Sequence, residues 1–103
     1  MATETTVSQR TSTLLDVVQG EIEDLPKAAA EWPKRLDWQQ AEFALEWGHL
    51  MTDFLGELDE HYRAGDMTAE QLQQYRHVLA KLKALMPTIR RLGLDAPLVS
   101  LDP

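Results

Sequence analysis

The spacing of large apolar residues in the C-terminal third most constrains the fold of this chain. Between positions 72 and 89 they recur at alternating steps of three and four residues: Leu72, Tyr75, Leu79, Leu82, Met86 and Ile89. Because an α-helix completes one turn in ~3.6 residues, this spacing places all of them on one side of a single helix. Such an apolar stripe is stable in water only when other elements cover it, so the segment predicts a long amphipathic helix in a helical protein.

Residues that favour helix ends lie on both sides of this segment. Gly65 fits the left-handed position that ends a helix, and Thr68 followed by Gln71 is the pattern of a capping box that begins the next one. Gly93 is the corresponding signal at the end of the segment. These residues predict a turn near position 65 and a last helix that continues to about residue 92, and together they indicate an antiparallel helical hairpin.

The first helix of that hairpin is expected over residues 37–64. Asp37 is expected as its N-cap, with Gln40 as the capping-box partner and with Leu36 packed against Ala41. Its apolar arc is wider than one neighbouring helix can cover, and small residues line one edge. The residues expected at a helix–helix or subunit interface are Trp38, Ala41, Ala44, Trp47, Gly48, Met51 and Leu55.

The N-terminal third carries a further apolar stripe. Its residues also follow steps of three and four: Leu14, Val18, Ile22, Leu25, Ala29 and Trp32. Proline in a helix interior removes a backbone hydrogen bond and crowds the preceding turn. Pro26 is therefore expected to divide the stripe into a helix over Ser12–Asp24 and a short second piece that ends near Trp32.

The predicted fold class is all-α, an N-terminal helix plus a long antiparallel helical hairpin. The expected organisation is a flexible leader at 1–11, a helical bundle domain at 12–93 and an apolar C-terminal tail at 94–103. The tail either folds back over the bundle or docks on a neighbour. The wide arc of the central helix is covered either by the N-terminal helix, which gives a three-helix bundle, or by a second subunit, which gives a dimeric four-helix-type bundle. A dimer is expected, with part of the edge formed by Ala41, Ala44 and Gly48 buried in it.

Negative charge is concentrated in the middle of the chain. The formal net charge is −7, and residues 37–66 contain eight acidic residues against one basic residue, Arg63. Nucleic-acid-binding surfaces are rich in Lys and Arg, so this balance argues against a nucleic-acid ligand. The chain has no Cys, and no apolar run approaches the ~20 residues of a membrane span. The expectation is therefore a cytoplasmic protein without membrane or nucleic-acid partners.

An acidic stripe follows one face of the central helix. It consists of Glu42, Glu46, Asp53, Glu57 and Glu60. One interpretation is a ladder of salt bridges within the chain, in which Arg76 pairs with Glu57, Lys83 with Asp53, and Arg90 with Glu46. The other is a surface recognised by a basic protein partner.

The leading functional expectation is a non-enzymatic interaction or regulatory module. It would be either a homo-oligomeric scaffold or an acidic protein that neutralises a basic partner. No catalytic residue is assigned, because the serines lie only near the chain ends and the glycines are isolated.

A metal-binding helical bundle is the alternative from a different class. Glu46 and His49 form a Glu-x-x-His pattern, which ferritin-like di-metal bundles use in pairs. With Glu42 and Asp53, these residues form the candidate ligand set for a divalent metal. A protein without cofactor is otherwise expected.

Overall fold

Four α-helices make up most of the chain in the computed structural model, which describes residues 2–102 and side chains from Val7 onward. In chain order they are α1 (Ala2–Glu31), α2 (Asp37–His49), α3 (Leu55–Ala64) and α4 (Ala69–Arg91). A 3₁₀ turn at Trp32–Lys34 joins α1 to α2, and a π-helical turn at Leu50–Phe54 joins α2 to α3. No β-strand occurs within residues 2–102, so the described chain is all-α and compatible with a helical bundle.

Helix α1 is longer than the sequence pattern predicts, and the expected break at Pro26 is wrong. The helix passes through Pro26 without interruption and already includes the segment expected to be a flexible leader, from Ala2 onward. Pro26 is exposed, so its ring faces solvent while the buried stripe continues beside it through Leu25 and Ala28. At the other end, the Ser8 carbonyl accepts a hydrogen bond from Gln71 Nε2 (2.9 Å). Met1 of the predicted leader lies outside the described residues.

The apolar core forms around α1. The most extensive helix–helix contact joins α1 to α4, and α1 also contacts α3 and both turns that flank α2. From α1 the core contains Leu14, Leu15, Val18, Ile22 and Leu25. The rest comes from the other elements: Trp47, Leu50, Met51, Leu55, Leu58, Tyr75, Val78, Leu79, Leu82, Ile89 and Leu94.

The helix ends near the turn agree with the residues that predict them. Gly65 adopts a left-handed φ of 72° directly after α3. Thr68 Oγ1 accepts a hydrogen bond from the Gln71 amide (3.1 Å), while the Thr68 amide donates to Gln71 Oε1 (3.0 Å), which completes the capping box. Gly93, with a φ of 70°, follows the last turn of α4. These ends depend on local side-chain and backbone chemistry, so the sequence alone is sufficient to place them.

The start of α2 differs by one residue from the prediction. Leu36 is the N-cap, and its amide donates to Gln39 Oε1 (2.8 Å). Gln40 cannot serve as the expected capping partner because its Nε2 donates instead to the Trp32 carbonyl (2.8 Å) in the 3₁₀ turn. Leu36 and Ala41 are both exposed, so the predicted packing of Leu36 against Ala41 buries neither side chain.

The C-terminal tail folds back onto its own chain. Trp47 Nε1 donates a hydrogen bond to the Asp95 carbonyl (2.9 Å), and Leu94 is buried in the core. Further along, Val99 and Leu101 pack against the core, and Lys83 Nζ lies 2.7 Å from Asp102 Oδ1. The tail therefore covers part of α2 and ends beside the middle of α4.

Tyr75 ties α4 to α3 and gives the fold a pH dependence. Its ring is fully buried and lies 5.2 Å from the Tyr62 ring, and its hydroxyl donates to Asp59 Oδ1 (3.4 Å). Burial, together with the neighbouring Asp59 carboxylate, raises the pKa of Tyr75 well above its ordinary value of 10.0. Above pH 10 the native state therefore retains a proton that the unfolded chain releases.

We expect the free energy of unfolding to fall as pH rises above 10, by up to about 1.4 kcal/mol per pH unit. Tyr75→Phe should remove this slope, while Tyr62→Phe, the matched control, should retain it because Tyr75 is still present. Urea unfolding of the three proteins between pH 8 and about 11 measures the effect. A slope that persists in Tyr75→Phe would contradict the assignment.

Candidate functional site

A groove runs along the seam between α1 and α2. Helix α1 contacts the 3₁₀ turn before α2 and the π-helical turn after it. These two turns lie at the two ends of α2. Between these points two adjoining depressions of about 440 Å³ and about 290 Å³ open to solvent. We call them together the seam groove. Its lining residues are Val17, Glu21, Asp24, Lys27, Ala28, Glu31, Arg35, Phe43, Glu46, His49, Leu50, Asp53 and Phe54.

The π-helical turn shapes the end of the groove near Phe54. The Thr52 hydroxyl donates to the Gly48 carbonyl (2.7 Å), which is the acceptor that a regular α-helix would offer to the Thr52 amide. π-turns inside helices are rare and occur frequently at functional sites. This turn carries Leu50, Asp53 and Phe54, so it supplies both apolar and acidic residues to the groove.

Apolar side chains such as Val17 and Phe54 form the floor of the seam groove at its end near the π-helical turn. Val17 is 42% exposed although it lies on the same helix as the core stripe. Phe54 is half-buried, and Phe43 packs edge-on against Trp32 with ring centroids 5.7 Å apart. The Arg35 guanidinium lies 5.5 Å from the centroid of the Phe43 ring, which fixes the other end of the groove by a cation–π contact.

Carboxylates from both helices form the rims. Glu21 and Asp24 come from α1, while Glu46 and Asp53 come from α2 and the π-helical turn. Partial burial and then the charges of Glu46 and Asp24 raise the pKa of Glu21 above its ordinary value. The basic side chains in the lining are Lys27 and Arg35, and Arg35 already lies 3.4 Å from a Glu31 carboxylate oxygen. The depression near the π-helical turn is mostly apolar, whereas the one near the 3₁₀ turn is mostly polar, and carboxylates outnumber basic side chains along the groove.

The acidic stripe predicted on the central helix is exposed except at one position. Glu42, Glu46, Asp53 and Glu60 are exposed. Glu57 is half-buried and forms a two-pronged pair with Arg10 of α1, at 2.7 Å and 2.9 Å. That hydrogen-bonded guanidinium lowers the pKa of Glu57.

The predicted ladder of salt bridges does not form within residues 2–102. Glu57 is paired with Arg10 instead of Arg76, and Lys83 is paired with Asp102 instead of Asp53. The physical reason is that α1 lies beside α3, and the folded-back tail reaches Lys83. Over the described chain, no Lys or Arg nitrogen lies within 4.0 Å of the carboxylates of Glu42, Glu46, Asp53 and Glu60.

The predicted interface is partly internal to the single chain. Trp47, Met51 and Leu55 are fully buried in the core, so in this fold they cannot contact another subunit. Of the other predicted interface residues, Ala44 and Gly48 are half-buried, and Trp38 and Ala41 are exposed. A Cβ atom on Gly48 would come within 2.8 Å of Asp95 Oδ2, so the close approach that this glycine predicts is made by the tail of the same chain.

The candidate metal ligands do not converge on a common point in the described structure. His49 Nδ1 lies 3.2 Å from Asp53 Oδ2, and both side chains are exposed. Among the residues that the structure describes, no group of three or more His, Asp or Glu side chains is placed to hold a metal ion. The alternative ligand set of Glu42, Glu46, His49 and Asp53 therefore stays a prediction without support from this geometry.

Comparison of the chain with protein-family models, with curated proteins and with solved structures found no match. None of the described helices combines the length and the apolar character that crossing a membrane requires. Functional conclusions therefore depend on the groove and the charges around it.

Residues of α1 complete a site that the sequence pattern indicated only on α2. Val17, Glu21, Asp24 and Ala28 follow steps of four, three and four, so they share one flank of α1. That spacing was visible in the sequence. What it could not show is which flank of α1 faces α2, because that depends on how the helices pack.

The interaction between Glu21 and Glu46 across the groove gives a direct test of this geometry. We expect Glu46→Gln to lower the pKa of Glu21 toward its ordinary value, because one of the two carboxylates that raise it loses its charge. Glu60→Gln, which also removes one carboxylate from the acidic stripe but lies outside the groove, is the control and should leave the pKa of Glu21 unchanged. NMR titration of the Glu21 side-chain carboxyl measures both, and equal effects of the two variants would refute the predicted arrangement.

Proposed function

We propose that this chain is a non-enzymatic interaction module that binds a positively charged protein through its acidic face. The acidic face is defined as Glu42, Glu46, Asp53 and Glu60. The observation that supports the proposal is that these carboxylates are exposed and have no Lys or Arg partner within 4.0 Å in the described chain. Glu57 is outside this face because Arg10 already neutralises it.

The energetic argument starts from repulsion among these carboxylates. Like charges that share one surface weaken the folded state through mutual repulsion, and a cationic partner relieves that repulsion on binding. A surface of one sign also accelerates encounter with an oppositely charged protein, and the effect declines as salt screens it. An unpaired acidic face is therefore better suited to rapid recognition of a basic partner than to stabilising its own fold.

The single chain can cover its own core. This supports a three-helix bundle as the binding unit, in which α2, the π-helical turn and α3 count as one continuous helix beside α1 and α4. Helix α1 contacts α3 and α4, and the tail covers the Gly48 edge of α2. A second subunit is therefore not needed to bury Trp47, Met51 or Leu55. We propose this arrangement as the scaffold that presents the acidic face.

A homo-oligomeric scaffold is the second candidate, and the charge of α4 favours it. Its exposed surface carries Arg76, Lys81, Arg90 and Arg91, which could face the acidic surface of another copy. If the chain forms a homo-oligomer, the particle mass in solution should rise with protein concentration. A module for a different basic partner predicts a mass that stays at 11.7 kDa in the isolated protein.

Neutralising the acidic face tests the leading proposal. The test variant combines Glu42→Gln, Glu46→Gln, Asp53→Asn and Glu60→Gln. The matched control removes the same number of charges elsewhere, through Asp16→Asn, Glu23→Gln, Glu70→Gln and Asp102→Asn. We expect basic proteins from a cell lysate to bind immobilised wild type and control at low salt, and to be lost from the test variant.

The decisive measurement uses a retained basic protein after its purification. Its association rate constant should fall about ten-fold or more with the test variant and change little with the control, because the acidic face steers encounter. The difference should shrink as ionic strength rises. Equal rates for both variants would contradict the proposal.

A further inference from the structure

The seam groove is as long as about three turns of a helix. Two helices form its walls, and from Phe43 to Phe54 it extends about 16 Å along α2 and the π-helical turn, the length of roughly eleven helical residues. The end near the 3₁₀ turn carries the ion pair of Arg35 with Glu31. A groove between two helices is a common receptor for an amphipathic helix.

The floor of the groove requires apolar side chains from its occupant. Val17 remains 42% exposed, and Phe54, which lines the same depression, is half-buried. Covering apolar surface contributes about 25 cal/mol per Å² removed from water. An occupant with large apolar residues on one side would gain this energy, whereas a purely charged segment would not.

The rims of the groove determine the charge of the occupant. Carboxylates line both sides of the groove, Glu21 and Asp24 on α1 and Glu46 and Asp53 on α2 and the π-helical turn. A cation placed between them would relieve the repulsion that Glu21 experiences from Glu46 and Asp24. The complementary occupant therefore carries Lys or Arg on both flanks of its apolar stripe.

A second copy of this chain fits the groove poorly. The basic surface of α4 supplies cations at Arg76 and Arg90, but between them it exposes Ala80, Ala84 and Pro87. The large apolar residues that the described chain exposes all lie outside α4: Val7, Val17, Leu36, Trp38, Leu45 and Leu98. Helix α4 of a second copy would therefore pair with the carboxylates of the rims but leave the apolar floor exposed to water.

We propose that the seam groove binds one amphipathic α-helix of the basic partner, with its apolar stripe on the floor and its Lys and Arg residues on both rims. This inference rests on the proposed function and specifies where and how the partner binds. It predicts that recognition depends on the arrangement of basic and apolar residues in the partner as well as on its net charge.

Three labelled peptides of about 15 residues test this inference in fluorescence polarisation. The first has Leu at helical positions i, i+4, i+7 and i+11 with Lys and Arg on both flanks. The second is a scrambled peptide of the same composition and charge, which has no apolar stripe. The third keeps the stripe and carries Glu in place of the basic residues. We expect the first to bind about ten-fold or more tightly than either control.

Two substitutions on α1 provide matched variants of the protein. Val17→Lys blocks the floor, whereas Val7→Lys makes the same change on the same helix at a position that is 40% exposed and is not among the groove lining. Both variants have the same net charge. Val17→Lys should weaken binding of the striped peptide about ten-fold or more, and Val7→Lys should leave it near the wild-type value. A circular dichroism spectrum checks that each variant is folded.

Chemical-shift mapping on the wild-type protein keeps the test independent of the variants. The striped peptide should perturb amides of residues 17–24 and 43–54 and leave α4 unchanged. Perturbations on α4, or a complex that contains two copies of the chain, would overturn the inference.

The outcomes separate this inference from the proposed function. If striped and scrambled peptides bind equally and both depend on the acidic face, the proposed function stands and the groove is not the binding site. If neither basic peptide binds at low salt, both the inference and the proposed function fail.

Discussion

Burial of the apolar stripe of α1 is the interaction on which the rest of the structure depends. Leu15, Val18 and Leu25 are fully buried in a core that also contains residues of α3 and α4. Burying a side chain of this size contributes about 1.5–3 kcal/mol, so the stripe accounts for much of the driving force for association of the helices. Pro26 does not interrupt it because its ring faces solvent, and the continuous helix can therefore form one wall of the seam groove.

The position of α1 also determines how the charges are distributed. Because α1 lies beside α3, Arg10 reaches Glu57, and because the tail folds back, Asp102 reaches Lys83. The basic residues of α4 are consequently not used to neutralise the central helix. An acidic face and a basic face remain on the same chain, and the floor of the seam groove lies on the acidic side. Packing of the core thus produces the electrostatic asymmetry that the proposed function uses.

Features that depend on local chemistry could be predicted from the sequence, and features that depend on packing could not. Gly65 and Thr68 fix helix ends through their own backbone and side-chain bonds, so both were predictable. The capping partner at α2 was misplaced because the Gln40 side chain bonds to a carbonyl eight residues earlier. In the candidate site, exposure of Glu42 and Glu46 followed from the helical pattern of α2. Whether Glu21 lies in the seam groove depends on which flank of α1 faces α2, and no local sequence signal determines that packing.

The salt dependence of stability tests the central claim most directly, namely that the acidic face has no Lys or Arg partner within the described chain. Salt screens repulsion among like charges and attraction between opposite ones. An acidic face without basic partners and an internal ladder of salt bridges therefore predict opposite changes of the free energy of unfolding with salt. Urea unfolding of the wild-type protein at pH 7, with NaCl raised from about 10 mM to about 300 mM, makes the comparison. The unpaired face predicts that the free energy of unfolding rises with salt. A decrease would indicate an internal ladder of salt bridges and would contradict the account.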